Sequence, residues 1–137
     1  METKDIRVAL VDDDSSYQFL TSRTIKSIGN TNDILQFYDG LEAIQYLSQH
    51  AKDAFRLPDL LLLDINMPLL DGWMFLEEYS SIKDTMVKDI NIFMVSSSID
   101  SKDIDRARHN ENIADYLMKP VSVEKFREIL EANAAEG

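Results

Sequence analysis

The sequence predicts a doubly wound α/β fold in which five parallel strands alternate with five helices. Short apolar runs alternate with longer amphipathic segments along the 137 residues, which is typical of repeated strand-helix units. The run at residues 60–63 consists of four leucines and is apolar on both faces, as in a central strand that helices cover on both sides. Strands joined by helices lie parallel with right-handed crossovers, so we expect helices on both faces of one open sheet.

Each predicted strand is followed by residues that turn the chain or begin a helix. The strands are predicted at residues 7–11, 34–37, 60–63, 90–95 and 114–118. The turn and helix-start signals lie at residues 12–16, at Asp39-Gly40, at residues 66–72, at Asp100 or Ser101, and at Ser122. Apolar residues at helical spacing predict the inner faces of four helices. These residues are Tyr17, Leu20, Ile25 and Ile28, then Leu41, Ile44 and Leu47, then Trp73, Leu76 and Tyr79, and finally Phe126, Ile129 and Leu130.

Composition excludes several classes of protein. The chain contains no cysteine, which excludes thiol catalysis, cysteine-ligated zinc and disulfide scaffolds. A net charge of −11, from 14 basic and 25 acidic residues, repels phosphate backbones and anionic lipids, so we expect no direct binding to nucleic acid or membranes. No apolar run approaches the roughly 20 residues of a membrane-spanning helix, and we expect a soluble, cytoplasmic protein. We expect one domain at residues 6–131, flexible termini at 1–5 and 132–137, and no output domain.

Polar residues follow four of the five predicted strands. Asp12 and Asp13 follow the first strand, Asp64 the third, Ser96 the fourth and Lys119 the fifth. Because the carboxyl ends of parallel strands meet at one edge of a sheet, we expect these side chains to converge. Three neighbouring carboxylates repel one another unless a cation lies between them, and one lysine cannot neutralise three aspartates. Carboxylate oxygens without a neighbouring histidine or cysteine favour Mg²⁺, so the sequence predicts a magnesium site.

The predicted site is suited to phosphoryl chemistry. A divalent ion and the Lys119 ammonium would neutralise the anionic oxygens of a transferring phosphoryl group, while Ser96 would donate a hydrogen bond to it. Asp64 is the best candidate nucleophile, because it ends the most apolar and most central strand and the turn at residues 66–72 fixes the backbone around it.

Four strings of residues along the chain form one pattern. They are Val11-Asp12-Asp13-Asp14, Asp64-Ile65-Asn66-Met67-Pro68 with Asp71-Gly72, Val95-Ser96, and Tyr116-Leu117-Met118-Lys119-Pro120. This pattern resembles the receiver domain of two-component response regulators, of the single-domain type that includes the chemotaxis response regulator. The resemblance covers residues 6–130. It implies a flavodoxin-like (βα)₅ fold with strand order 2-1-3-4-5.

The resemblance also implies a role for each matching residue at the acidic site. Asp64 is implied to be the phosphoacceptor and a metal ligand. Asp13 is implied to bind Mg²⁺ directly, and Asp12 to hold a metal-bound water. The backbone carbonyl of Asn66 is implied to complete the metal site, and Lys119 to contact the phosphoryl oxygens.

Further residues match the switch and the backbone of such domains. Ser96 matches the hydroxyl switch residue, and Tyr116 matches the aromatic residue that turns inward when that hydroxyl moves. The resemblance implies a cis peptide bond before Pro120, and it implies that Pro68 and Gly72 are structural residues of the turn after Asp64. Asn112-Ile113 stand where such domains often have Gly-Ala, and asparagine tolerates the left-handed conformation that a helix stop there would need.

The resemblance implies signalling partners rather than an enzyme. A sensor histidine kinase or a histidine phosphotransfer protein would donate the phosphoryl group, and the protein would assist only its own phosphotransfer and autodephosphorylation. Helix 4, strand 5 and helix 5, at residues 104–130, would bind a downstream target or a second copy. Roles as a diffusible regulator, a phosphorelay intermediate and a phosphate sink remain open.

An alternative function is that of a haloacid-dehalogenase-like phosphatase, because residues 12–14 contain the Asp-x-Asp spacing of such enzymes. A nucleotide- or flavin-binding module on the same fold would need a glycine-rich loop, which the chain lacks.

Overall fold

The computed structural model describes residues 5–29, 31, 33–98 and 100–136. Five strands and five helices alternate along the chain, and one turn of 3₁₀ helix, Lys83–Thr85, follows the third helix. The strands are β1 (Val8–Val11), β2 (Leu35–Phe37), β3 (Leu60–Asp64), β4 (Asn91–Ser96) and β5 (Ile113–Met118). The helices are α1 (Ser15–Ile28), α2 (Gly40–Gln49), α3 (Gly72–Ile82), α4 (Ser101–Arg108) and α5 (Val123–Glu136).

The five strands form one parallel sheet in the order β2-β1-β3-β4-β5, which confirms the predicted topology. In the register of the sheet, Val11 lies beside Leu63, and Asp64 lies beside Val95. The carboxyl ends of β1, β3, β4 and β5 are therefore neighbours along one edge. Asp12, Asp13, Asp64, Ser96 and Lys119, which end or closely follow these strands, therefore lie along this edge.

The central strand β3 divides the core into two apolar layers. Leu61 and Leu63 pack in the layer with α2 and α3, whereas Leu60 and Leu62 pack in the layer with α1 and α5. Successive side chains of a strand point to opposite faces, so a run of four leucines supplies both layers at once. The burial of all four residues confirms that this strand is the centre of the sheet.

The inner faces of α1 and α2 differ from the prediction at one position each. Leu20 is 62% exposed and Leu41 is 53% exposed. In α1 the buried residues are Gln18, Thr21 and Ile25, which are spaced as one stripe along the helix. Leu20 is two residues after Gln18, and a two-residue step turns the helix by about 200°, so its side chain points away from that stripe. The predicted inner faces of α3 and α5 are buried as expected.

The helix ends are set by local hydrogen bonds. Asp100 caps α4 by accepting from the Lys102 backbone N–H, and the Ser122 hydroxyl caps α5 by accepting from the Lys125 N–H at 3.1 Å. The helix α5 continues to Glu136, past the residue at which the sequence places the end of the domain. Residues 1–4 and 137, also expected to be flexible, lie outside the described residues, as does Asn30 of the stop after α1.

Asn112 does not adopt the expected left-handed conformation. Among the described residues other than glycine, only Leu69 has a positive φ, of 68°. The Asn112 side chain instead joins two elements, because its Oδ1 accepts from Lys83 Nζ and its Nδ2 donates to Ser80 Oγ, both at 2.8 Å.

Within the described part of the chain, no helix has the length and hydropathy needed to cross a bilayer.

Candidate functional site

Three carboxylates meet at the carboxyl edge of the sheet. Asp12 directly follows β1, Asp13 comes next, and Asp64 is the last residue of β3. Each offers one carboxylate oxygen, and these three oxygens lie within 4.8 Å of one another. Asp12 and Asp64 are buried, whereas Asp13 is exposed to solvent. The structure thus brings together the acidic residues that the sequence assigned to one site.

Lys119 follows β5 and reaches across to this acidic cluster. Its Nζ donates to Asp12 Oδ2 at 2.6 Å and lies 3.4 Å from Asp64 Oδ1. Burial lowers the pKa of Lys119, but the hydrogen bond with Asp12 and the charges of Asp64 and Asp12 more than offset this effect. The pKa is therefore raised above its ordinary value of 10.5, and the side chain is a cation at neutral pH.

The charge of the buried Asp64 carboxylate is only partly compensated. Burial, and then the charge of Asp12, raise its pKa from 3.8 to about 6, while Lys119 acts in the opposite direction. The single ammonium does not balance the cluster, as the sequence predicted. Three close carboxylate oxygens with one exposed member form a donor set that suits Mg²⁺, which binds oxygen ligands and keeps several waters.

Asp14 does not belong to the acidic cluster. Its side chain caps α1 by accepting from the Tyr17 N–H at 3.1 Å, and its own backbone N–H donates to Asp12 Oδ1 at 2.9 Å. The Asp-x-Asp spacing at residues 12–14 therefore serves to begin a helix, which removes the feature that favoured the phosphatase alternative.

The turn between β3 and α3 holds the backbone of Asp64 in place. The Gly72 N–H donates to the Ile65 carbonyl at 2.8 Å, and Leu70 N–H donates to the Pro68 carbonyl at 2.7 Å. A Cβ at Gly72 would lie 2.9 Å from the Asp64 carbonyl oxygen and 2.9 Å from Ile65 Cα, so only glycine fits. Asn66 lies in the same turn and is exposed beside the site.

Ser96 and Tyr116 both contact the loop that follows β4. Ser96 is fully buried, and its Oγ accepts from the Ser98 N–H at 3.2 Å. The half-buried Tyr116 packs its ring against the core, and its hydroxyl donates to the Ser98 carbonyl at 3.2 Å. The two residues that the sequence paired as a switch therefore share one neighbour. The Lys119-Pro120 peptide bond beyond them is cis, as the resemblance implied.

Two residues of α1 reach the site without having been assigned to it. The Gln18 side chain is fully buried and its Nε2 donates to the carbonyl oxygens of Leu10, Asp12 and Phe37, at 3.3, 3.1 and 2.7 Å. Tyr17 places its ring 4.2 Å from Lys119 Nζ. No local pattern in the sequence predicts either contact, since both depend on strands that come together only in the folded sheet.

Comparison with known proteins identifies one family. The family model for the response regulator receiver domain matches residues 8–131. The probable methanogenesis regulatory protein FilR2 of Methanothrix harundinacea is 31% identical over 125 residues, which cover 90% of this chain and 78% of that protein. Several other curated relatives are longer, and the chain spans about half of their length or less.

Solved structures agree with this assignment. A two-component response regulator from Cytophaga hutchinsonii superposes with a TM-score of 0.86 at 26% identity, and the match covers 98% of this chain and 99% of that one. A response regulator receiver protein from Dyadobacter fermentans gives a TM-score of 0.80 at 30% identity, and covers 93% of this chain and 96% of that one. The sheet order, the acidic edge and these comparisons lead to one conclusion: the chain belongs to the receiver domain family of two-component response regulators.

Proposed function

We propose that Asp64 is the phosphoacceptor of this receiver domain and takes its phosphoryl group from a phosphohistidine. Receiver domains interact with histidine kinases or phosphotransfer proteins, and we propose such a protein as the donor. A carboxylate oxygen of Asp64 attacks phosphorus, the phosphorus–nitrogen bond breaks, and the imidazole nitrogen keeps the electron pair and is protonated. The observation that carries the proposal is the buried Asp64 carboxylate at the end of β3, beside two other carboxylates and 3.4 Å from Lys119 Nζ.

The proposal assigns the surrounding residues to the phosphoryl group and its counter-ion. Asp13, Asp12, Asp64 and the backbone carbonyl of Asn66 would hold Mg²⁺, with Asp12 acting through a water. When bound, Mg²⁺ would supply positive charge to the anionic phosphoryl oxygens. Lys119 would add a second positive charge by turning N–H donors of its ammonium, which now lies 2.6 Å from Asp12 Oδ2, toward the phosphoryl oxygens.

Phosphorylation is proposed to act through Ser96 and Tyr116. A phosphoryl group on Asp64 offers new acceptor oxygens at the edge where Ser96 ends β4, and a shift of the Ser96 hydroxyl toward them would break its contact with the Ser98 N–H. Tyr116 holds the same Ser98 by its carbonyl, so both contacts would rearrange together. The phosphoryl group thereby biases a pre-existing equilibrium between two arrangements of this loop.

The output surface is proposed to consist of α4, β5 and α5. A groove of about 440 Å³ lies between α4 and β5, and Ile104, Ala107 and Tyr116 contribute to its lining. Because Tyr116 belongs both to the groove and to the Ser98 contact, its movement would alter the surface that a target or a second copy meets. We propose that the protein acts in this way in the cytoplasm, as a signalling phosphoacceptor that assists only its own phosphorylation and dephosphorylation.

Intact mass spectrometry with a small phosphodonor tests the proposal. Incubation with acetyl phosphate should add one phosphoryl group to the wild-type chain with Mg²⁺, and none with EDTA. Asp64→Asn should remove the adduct, whereas Asp14→Asn should retain it, because Asp14 caps α1 outside the cluster and asparagine is an equally good cap. Undiminished labelling of Asp64→Asn would refute the assignment.

A further inference from the structure

The ring of Tyr17 lies against the lysine of the proposed phosphoryl site. Tyr17 stands in the first turn of α1, 102 positions before Lys119 in the chain, and the Lys119 ammonium lies 4.2 Å from the centre of its ring. An ammonium within about 6 Å of an aromatic ring centre is attracted by the negative face of the ring. The contact is therefore a cation–π interaction that joins α1 to the end of β5.

Among the described residues, Asp12, Asp64 and Tyr17 lie against the Lys119 ammonium, and phosphorylation would affect each of them differently. Asp12 holds the ammonium most closely, at 2.6 Å, and Asp64 lies farther away, at 3.4 Å. Both carboxylates belong to the cluster that would bind Mg²⁺, and Asp64 would carry the phosphoryl group. The ring of Tyr17 has neither task, so it is the neighbour that stays in place when the two carboxylates change partners.

The Tyr17 side chain suits this use because it remains neutral. Burial raises the pKa of its hydroxyl above the ordinary value of 10.0, and a side-chain hydrogen bond with Thr21 opposes this only in part. A neutral ring attracts the ammonium without drawing it away from an anionic phosphoryl group. The ring also covers one side of Lys119, which is only 16% exposed, and so limits the directions in which the ammonium can turn.

We infer that Tyr17 is a positioning residue, whose ring keeps the Lys119 ammonium beside Asp64 while the phosphoryl group is transferred. The inference rests on the proposed function. It predicts that an aromatic ring at position 17 matters and that the tyrosine hydroxyl does not. Tyr17 also lines a groove between α1 and the start of α5, together with Pro120 and Phe126. A ring that merely filled space in this groove would be replaced without loss by an aliphatic side chain.

Two substitutions separate these possibilities in the labelling reaction. Tyr17→Leu should lower the second-order rate constant for phosphorylation by acetyl phosphate roughly five-fold, the loss expected from one cation–π contact. Tyr17→Phe keeps the ring and should label at the wild-type rate. Phe19→Leu is the matched control, because it removes another ring from the same helix, one that lies 5.6 Å from the Arg23 guanidinium instead of near Lys119. It should also label at the wild-type rate.

Lysine side-chain NMR tests the contact itself, without phosphorylation. The ring should shift the methylene protons next to the Lys119 ammonium upfield of those of Lys88, which pairs with Asp59 at 3.0 Å. Tyr17→Leu should abolish the upfield shift, and Tyr17→Phe should keep it. If Tyr17→Leu does not fold, as judged by circular dichroism, Tyr17→Met serves in its place.

The inference is overturned if Tyr17→Leu labels at the wild-type rate, if Tyr17→Phe loses as much as Tyr17→Leu, or if Lys119 shows no upfield shift in the wild-type protein. Absence of any labelling in the wild-type protein would instead refute the proposed function, and the NMR comparison would still decide whether the ring holds the lysine.

Discussion

Replacing Asp64 by asparagine should stabilise the metal-free protein. The Asp64 carboxyl is buried beside Asp12, and its pKa rises from 3.8 to about 6 on folding. A rise of this size means that the ionised carboxylate costs the native state about 3 kcal/mol at neutral pH, relative to a neutral group. Solvent at the open edge of the site screens part of this cost, so we expect the neutral amide to raise the free energy of unfolding by about 1–2 kcal/mol.

The sign of this effect depends on pH in a defined way. The folded-state pKa of Asp64 is raised, so its protonated form favours the native state below the unfolded pKa of 3.8, and this advantage is lost as the pH rises through about 6. The difference in stability between Asp64→Asn and the wild type should therefore be small below about pH 3.5, reach about a third of its full value near pH 4.5, and be complete above about pH 7. Acidic groups that both proteins share cancel from this difference.

Urea denaturation in EDTA measures the effect directly, since the free energy of unfolding falls linearly with urea concentration. Asp14→Asn is the control, and we expect it to change stability by less than about 0.5 kcal/mol, because the substituted residue is an exposed helix cap. An Asp64→Asn variant that is equally stable or less stable than the wild type at pH 7.5, or a gain that does not shrink toward acid pH, would refute the reasoning.

Three other substitutions test the architecture around the site. Asp13→Asn should weaken Mg²⁺ binding about ten-fold or more in calorimetry, because it removes an exposed carboxylate ligand, and unchanged affinity would place the ion elsewhere. Gly72→Ala should cost about 1–3 kcal/mol of unfolding free energy, because its Cβ would lie 2.9 Å from the Asp64 carbonyl oxygen, and a neutral result would contradict that close approach. Gln18→Met should lower the free energy of unfolding by about 2–3 kcal/mol, because it removes the amide that donates to three buried backbone carbonyls at the ends of β1 and β2. An unchanged free energy of unfolding would show that these carbonyls do not depend on Gln18.

The sequence was sufficient to predict the sheet and the location of the site. A short run of four leucines fits a strand covered on both faces in the middle of a parallel sheet, and alternation with helices brings the ends of neighbouring strands to one edge. Asp64 follows that run directly, so its place at the centre of the edge followed from the pattern. Asp12, Ser96 and Lys119 could be placed for the same reason.

The side-chain contacts within the site could not be predicted in the same way. Hydrophobic periodicity assigned Leu20 to the core, yet the residues buried on either side of it are Gln18 and Thr21. A glutamine becomes favourable there only after β1 and β2 lie side by side and present carbonyl oxygens to its amide. Likewise, Lys119 pairs more closely with Asp12 than with Asp64, a choice made across 107 positions of sequence that no local pattern encodes.

Locating the phosphoryl group on the chain tests the central claim most directly. An aspartyl phosphate is an acyl phosphate, which borohydride reduces so that the modified aspartate becomes homoserine. After labelling with acetyl phosphate and Mg²⁺, reduction and proteolysis, tandem mass spectrometry should find homoserine at position 64. Homoserine at position 12 or 13, with aspartate intact at 64, would contradict the account.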